Sequence, residues 1–357
     1  MVARRQLGRS RWIALTAVLA LAGAGTVACA SGRDRDPQPG PAGASAAKPG
    51  WRVLPAGPLA RTEVGAGRVG GSIYVVGGFA APDGQTTAEA AAYGIRSGRW
   101  RPATPMPVAV NHPAVAVHRG FLYVHGGYAY QSEAVPETDA LQRFDPRTGQ
   151  WSLLAPSGLP RAAHTMAVVG GRLFAIGGVN SAAGPLRTVQ VYRPGSDSWS
   201  PARAMGVARE HLASAVVGRT IFVLGGRANG RNLGVVEALD ARAGRWKRLP
   251  SLRTPRSGFG AVAVKRHVIA AGGEELAEGS ATIAQVEIYD PRSRRWSRLP
   301  RMITPRHGLG LVAAGRRVFA LEGGPTPGLS FSGRLEMLSV AKRKLRATPS
   351  AALGPGP

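Results

Sequence analysis

Arg172-Leu-Phe-Ala-Ile-Gly-Gly178, with Tyr192 fourteen residues further on and Trp199 seven beyond that, is the stretch that decides the fold. β-Branched and aromatic residues running into glycine mark a short buried strand. The same phrase returns six times. Its diglycines are Gly77-Gly78, Gly126-Gly127, Gly177-Gly178, Gly225-Gly226, Gly272-Gly273 and Gly323-Gly324, spaced 49, 51, 48, 47 and 51 residues apart. A period near 50 is the mark of a radially repeated β-sheet architecture.

Each unit reads as four strands. A small apolar strand such as Thr165–Val169 and a Gly-rich turn precede the run into the diglycine. After a polar loop of variable length comes a third strand carrying Tyr93, Phe144, Tyr192, Leu239, Tyr289 or Leu338. Seven residues later Trp100, Trp151, Trp199, Trp246 or Trp296 opens a fourth strand, and Leu345 holds that slot in the last unit. Turn sequences such as Asp145-Pro-Arg-Thr-Gly lie between. Four strands repeated six times predict an all-β, six-bladed propeller. Glycine suits the doublet because a Cβ would clash or forbid the backbone angles where inner strands crowd the axis. The aromatics fill the wedge between blades.

Gly-Gly, an aromatic third strand and Asp-Pro-x-x-x-x-Trp, clearest at Tyr289-Asp-Pro-Arg-Ser-Arg-Arg-Trp296, resemble the kelch repeat over residues 51 to 348. Blade five has Val-Ile where others carry an aromatic, and blade six lacks its Trp. Trp51-Arg-Val-Leu-Pro is a surplus fourth strand with no blade before it, whereas Lys342-Arg-Lys-Leu-Arg346 is charged and degenerate. A propeller must join its ends or expose an edge. The ring is therefore expected to close through the strand around Trp51, with Lys342–Arg346 displaced.

The ends carry an address. Arg4, Arg5, Arg9 and Arg11, an apolar run over Ile13–Ala24 and then Thr26-Val27-Ala28-Cys29 have the layout of a signal peptide. Its last four residues resemble a bacterial lipobox. The expected organisation is a signal peptide over 1–28, a lipidated Pro/Gly/Ala-rich tether over 29–50, the propeller over 51–348 and a disordered tail over 349–357. Lipid on Cys29 implies attachment to the outer face of a bacterial membrane, in the cell envelope or periplasm. Cys29 is the only cysteine, which rules out an intramolecular disulfide and a multi-Cys metal site. Net charge is +26, or +22 (26 − 4) without the four signal-peptide arginines. A balance of this size favours anionic partners such as lipid headgroups or acidic glycans, whereas its spread along every repeat, with no single block, reads equally as a soluble basic surface. Nucleic acid does not fit an exported, tethered chain.

Chain direction selects one face. Loops after the diglycines and the blade-to-blade connections cluster together there, and the residues that start each inner strand ring the channel mouth. Arg61, Arg161, Arg209 and Arg256 stand 16 residues before the first glycine of their doublets, and Arg306 stands 17 before, with an insertion at Glu322. Val110 breaks the series; His112, His164, His211 and His307 lie nearby. Such a ring is expected to bind an anion by forked hydrogen bonds, or else to bond blade carbonyls. No metal or other cofactor is expected, since no His-x-His or His-x₃-His pair exists. Among enzymes implied by resemblance, a copper-radical oxidase lacks its site cysteine, and the sialidase boxes are absent. A sugar epimerase resembling the exported kelch N-acetylneuraminate mutarotase stays open, with Glu210, Glu274 or Glu275 as the acid/base group. The leading expectation is a binding or scaffolding module for an envelope protein or anionic glycan.

Overall fold

The computed structural model describes residues 50–129, 136–276 and 280–345. The expected signal peptide, nearly all of the tether, Cys29 and the tail lie outside the described residues. Among those described, the strands form six four-stranded antiparallel sheets, with short hairpins after several diglycines. The first blade comprises Gly65–Val69, Ser72–Val76, Ala90–Gly94 and Trp100–Ala103. The inner strands of the others are Ala114–His118, Thr165–Val169, Ala213–Val217, Gly260–Val264 and Gly310–Ala314. Each inner strand touches the next, and Gly310–Ala314 touches Gly65–Val69.

The sixth blade takes its outer strand from the other end of the chain. Trp51–Leu54 pairs with Leu335–Ser339 in the register Trp51 to Leu338, as Trp246 stands opposite Leu239. Among the described residues, each of the six Trp indole N–H groups donates to a carbonyl at the outer edge of the preceding blade. Trp51 reaches Pro300, Trp100 reaches Pro55 and Trp296 reaches Pro250, and all six bonds span 2.8–2.9 Å. The half-buried ring thus packs its apolar body between blades and satisfies its one polar atom. Lys342–Leu345 forms a 3₁₀ turn, so Leu345 does not occupy the fourth-strand slot that the repeat assigned to it. It packs at the margin of the core between blades five and six.

The diglycines join blade to blade. The second glycine N–H donates to the carbonyl sixteen residues upstream in the next blade's own count: Gly78 to Val110, Gly178 to Arg209, Gly273 to Arg306. Gly178 has φ 95°, and a Cβ there would lie 2.5 Å from the Ala162 carbonyl oxygen, so only glycine fits. In blade six the donor is Gly323, bonded to Arg61 O. The doublet slot is therefore Glu322-Gly323, shifted by one from the Gly323-Gly324 reading, and Glu322 adopts the left-handed φ of 55°. There is no insertion.

Candidate functional site

The five arginines do not ring an open mouth. Arg61, Arg161, Arg209, Arg256 and Arg306 are all fully buried. Arg256 shows the common pattern: Nη1 donates to the carbonyls of Gly272 (2.9 Å) and Gln285 (2.7 Å), and Nη2 to Glu287 Oε1 (2.8 Å). The blade edge leaves carbonyls unpaired where the chain departs into its diglycine loop, and one guanidinium has enough donors to satisfy several. The polar partner is the second residue of the third strand, Gln190 for Arg161, Glu237 for Arg209 and Glu287 for Arg256. Blade one has Ala91 there, and Glu322 of blade six supplies the carboxylate to Arg61 instead, through bonds of 2.8 and 3.0 Å. These side chains are clamps within and between blades. Burial brings Arg161 and Arg306 down to about 10, which keeps both charged at neutral pH.

The mouth is built two residues further along. Glu63, His112, Ala163, His211, Gly258 and Gly308 occupy that position in the six blades, all with φ between 50° and 61°. Their backbones form a girdle. His112 N–H donates to Glu63 O, Ala163 to His112 O, His211 to Ala163 O, Gly258 to His211 O, Gly308 to Gly258 O and Val64 to Gly308 O, at 2.7–3.2 Å. The residue after each diglycine pairs with the residue after each arginine slot, which sets Phe79 beside Thr62, Arg227 beside Glu210 and Glu274 beside Ser257. Together these two series enclose a cavity of about 510 Å³. Glu63, His112, His211, His307, Arg227 and Glu274 supply its polar lining, with Phe79, Leu276 and Leu329 as apolar patches.

Carboxylates face imidazoles and a guanidinium around this lining. Glu63 Oε1 lies 3.1 Å from His307 Nδ1, and Oε2 lies 3.2 Å from His112 Nε2. Burial alone would raise the Glu63 carboxyl, but the neighbouring imidazoles of His112, His307 and His211 hold it well below the ordinary carboxylate range. Burial lowers His112 to about 4 against the pull of Glu63. Burial also opposes protonation of His307, yet its bond to Glu63 and the charges of Glu63 and Glu274 raise it above the usual histidine value. Arg227 bridges Glu210 and Glu274. Glu210 is pushed up by burial and pulled down by His211 and Arg227, ending at about 2.

The structure thus brings together His211, His307, Glu210 and Glu274 from the sequence-predicted set. His164 lies deeper, buried with its Nε2 2.8 Å from His125 Nδ1. Burial lowers both of these imidazoles, His125 to about 3, so the pair is uncharged at neutral pH. Glu275 is exposed and outside the cavity lining. Sequence reasoning missed Glu63 and Arg227. The signal was present: aligning the units on the arginine slot places Gly258 and Gly308 in register with Glu63, His112 and His211, and two glycines in one column mark a left-handed backbone.

A six-bladed ring with diglycine loops over one mouth defines a repeat-built β-propeller. The KLHDC2/KLHL20/DRC7 Kelch-repeats domain model matches residues 64–208 and 160–324, and the chain belongs to the kelch-repeat family. Curated relatives include human Kelch-like protein 34, 36% identical over 127 residues, 35% of this chain and 20% of that protein. Kelch-like protein terF of Aspergillus terreus is 35% identical over 144 residues, 36% of this chain and 30% of that protein. The chain therefore spans less than a third of the length of either. The solved structure of YjhT superimposes with a TM-score of 0.70 at 17% identity, covering 80% of this chain and 97% of the other, a likeness of fold.

Proposed function

We propose that this kelch propeller is a binding module of the bacterial cell envelope that takes a polar, hydroxyl-rich ligand, the end of a glycan, at the channel mouth. The observation that carries this reading is the cavity of about 510 Å³ whose lining sets carboxylates against imidazoles and Arg227 beside the Phe79 ring. Paired donors and acceptors suit sugar hydroxyls, and an aromatic flank suits a pyranose face. With five arginines withdrawn into the blades, the cationic funnel that favoured a strongly anionic ligand is reduced to Arg227 and His307. Kelch propellers generally serve as protein-binding modules, so an envelope protein presenting polar side chains is the other occupant of the same mouth.

Saturation-transfer NMR of the full chain with a panel of monosaccharides, N-acetylneuraminate and glucuronate included, tests this. Saturable transfer is expected, weakened about tenfold or more in Arg227→Gln, because a hydrogen bond to a charged group contributes about 1.5–3 kcal/mol. An affinity that Arg227→Gln leaves unchanged, or no sugar bound at all, overturns the glycan reading. A second reading, the sugar epimerase, is favoured by one observation: His307 with a raised pKa and Glu274 stand at the same cavity, an acid and a base within one site. The same spectra decide it, since an epimerase speeds anomer exchange of N-acetylneuraminate and a simple binder does not.

Envelope attachment rests on the arginine-rich start, the apolar run and Thr26-Val27-Ala28-Cys29. Cys29→Ser is expected to move the protein from the detergent phase to the aqueous phase in cloud-point partitioning. A wild-type chain found in the aqueous phase would remove the lipid anchor from the proposal.

A further inference from the structure

We propose that Glu63, His112 and His211 form a binding site for one divalent transition-metal ion of the zinc type at the floor of the mouth cavity. Their ligand atoms all lie within 4.8 Å of one another. Glu63 Oε2 and His112 Nε2 already stand 3.2 Å apart, against about 3.4 Å for two ligands of a tetrahedral ion held at about 2.1 Å. Two imidazoles and a carboxylate are a donor set for zinc and its first-row neighbours, whereas calcium and magnesium call for oxygen ligands.

The outer contacts fix which nitrogens face inward. His112 Nδ1 lies 2.6 Å from Asn111 Oδ1, and the Asn111 amide is oriented by its own Nδ2 donating to Thr86 Oγ1 at 2.7 Å. His211 Nδ1 lies against a carboxylate oxygen of Glu210. Each ring therefore carries its proton on Nδ1 and keeps the Nε2 lone pair free, the arrangement by which outer partners orient metal-bound histidines. On His112 that lone pair faces a carboxylate oxygen, two acceptors with no donor between them. A cation resolves this conflict. The other Glu63 oxygen takes its bond from His307 Nδ1, so the carboxylate is itself held by an outer partner.

Backbone and space agree. Blades five and six place glycine at this girdle position, where a left-handed φ is free of strain. Glu63, His112 and His211 hold the same conformation at 54°, 53° and 51° against their side-chain preference, and strain of this kind gathers at functional sites. A Cβ on Gly308 would fall 2.5 Å from Glu63 Oε1, so that glycine admits the carboxylate. The three residues line both the large cavity and a smaller one of about 90 Å³, which gives an ion here open coordination positions. Among the described residues, Arg227 Nη2, 3.4 Å from His211 Nε2, is the competitor for that nitrogen. Its other nitrogens are held by Glu210 and Glu274, so metal entry breaks only this long contact.

The test is calorimetric titration of Zn²⁺ alone into the chelator-treated full chain, with Co²⁺ absorption as a second readout. One ion per chain is expected, with visible Co²⁺ ligand-field bands. The double variant His112→Ala, His211→Ala should lose more than about 100-fold in affinity, and Glu210→Gln, which meets His211 at its outer nitrogen and also holds Arg227, about 10–100-fold. Ala163 holds the same left-handed position in blade three, so the alanine variants should keep their metal-free melting curves. If they do not, the near-isosteric Glu63→Gln carries the test. Zn²⁺ binding as tightly to these variants as to the parent chain, or binding weaker than millimolar in the parent, overturns the proposal. No sugar is present in the titration, so its failure is distinguishable from failure of the glycan reading.

Discussion

Deletion of residues 51–56 is expected to lower the melting temperature by about 8 °C and to leave the protein prone to association. The segment supplies the whole outer strand of blade six, paired over Trp51 to Leu54 with Leu338 to Leu335. The Trp51 ring packs with the core cluster that includes Val318 and Leu338, and its N–H is satisfied by Pro300. Truncating a buried aromatic costs about 3–5 kcal/mol, nearer the lower figure for a half-buried ring. The ladder bonds add to that, and Pro55 O is lost as acceptor for Trp100. About 5 kcal/mol in total corresponds to about 8 °C for a domain of roughly 300 residues, whose unfolding entropy is about 0.6 kcal/mol per kelvin. The uncovered edge of Leu335–Ser339 then offers unpaired backbone to another chain. An unchanged melting curve would mean that Lys342–Leu345 unwinds from its 3₁₀ turn and fills the slot, and the N-terminal strand would no longer be the closure.

Most of the propeller is legible in the chain because its determinants are local and repeated. A diglycine, a third-strand aromatic and a tryptophan recur at one period, and the surplus Trp51 identifies the strand that joins the ends. The sixth doublet was misread by one residue because Gly323-Gly324 satisfies the pattern equally well. Only the partner of the backbone N–H, Arg61 O, reveals that Glu322 stands in the first glycine slot. The mouth cavity lies on the face that chain direction selects, but the arginines expected to line it are buried in the blades. An arginine in sequence shows a charge and not a direction. What turns Arg209 and Arg256 inward is Glu237 and Glu287, 28 and 31 residues away on the third strand, with Gln190 in the same register. The girdle position was obscure for the opposite reason. Glu63, His112, Ala163, His211, Gly258 and Gly308 share no side-chain property, only a backbone conformation, and side chains alone do not display that.

Arg61→Met is expected to destabilise the protein by about 3–5 kcal/mol, the range for breaking a buried ion pair by removing one partner. Arg61 and Glu322 are both fully buried and joined by two bonds across the seam where blade six meets blade one. The methionine fills similar volume, so the loss arises from a Glu322 carboxylate left in the interior without its counter-charge, and from the Gly77 carbonyl left without a donor, while Glu89 O keeps only the Gly77 N–H. Combining Arg61→Met with Glu322→Gly separates the two contributions. The glycine is the residue that occupies this slot in the other five blades, it relieves the left-handed strain at 55°, and it removes the stranded charge. The double variant is therefore expected to be more stable than Arg61→Met alone, although short of the parent because the Gly77 carbonyl stays unpaired. Urea unfolding of the two single variants and the double closes a thermodynamic cycle. Losses that simply add would show that Arg61 and Glu322 do not act as a pair. A neutral Arg61→Met would show that the guanidinium is not a clamp, and would return the buried arginines to candidacy as ligand contacts.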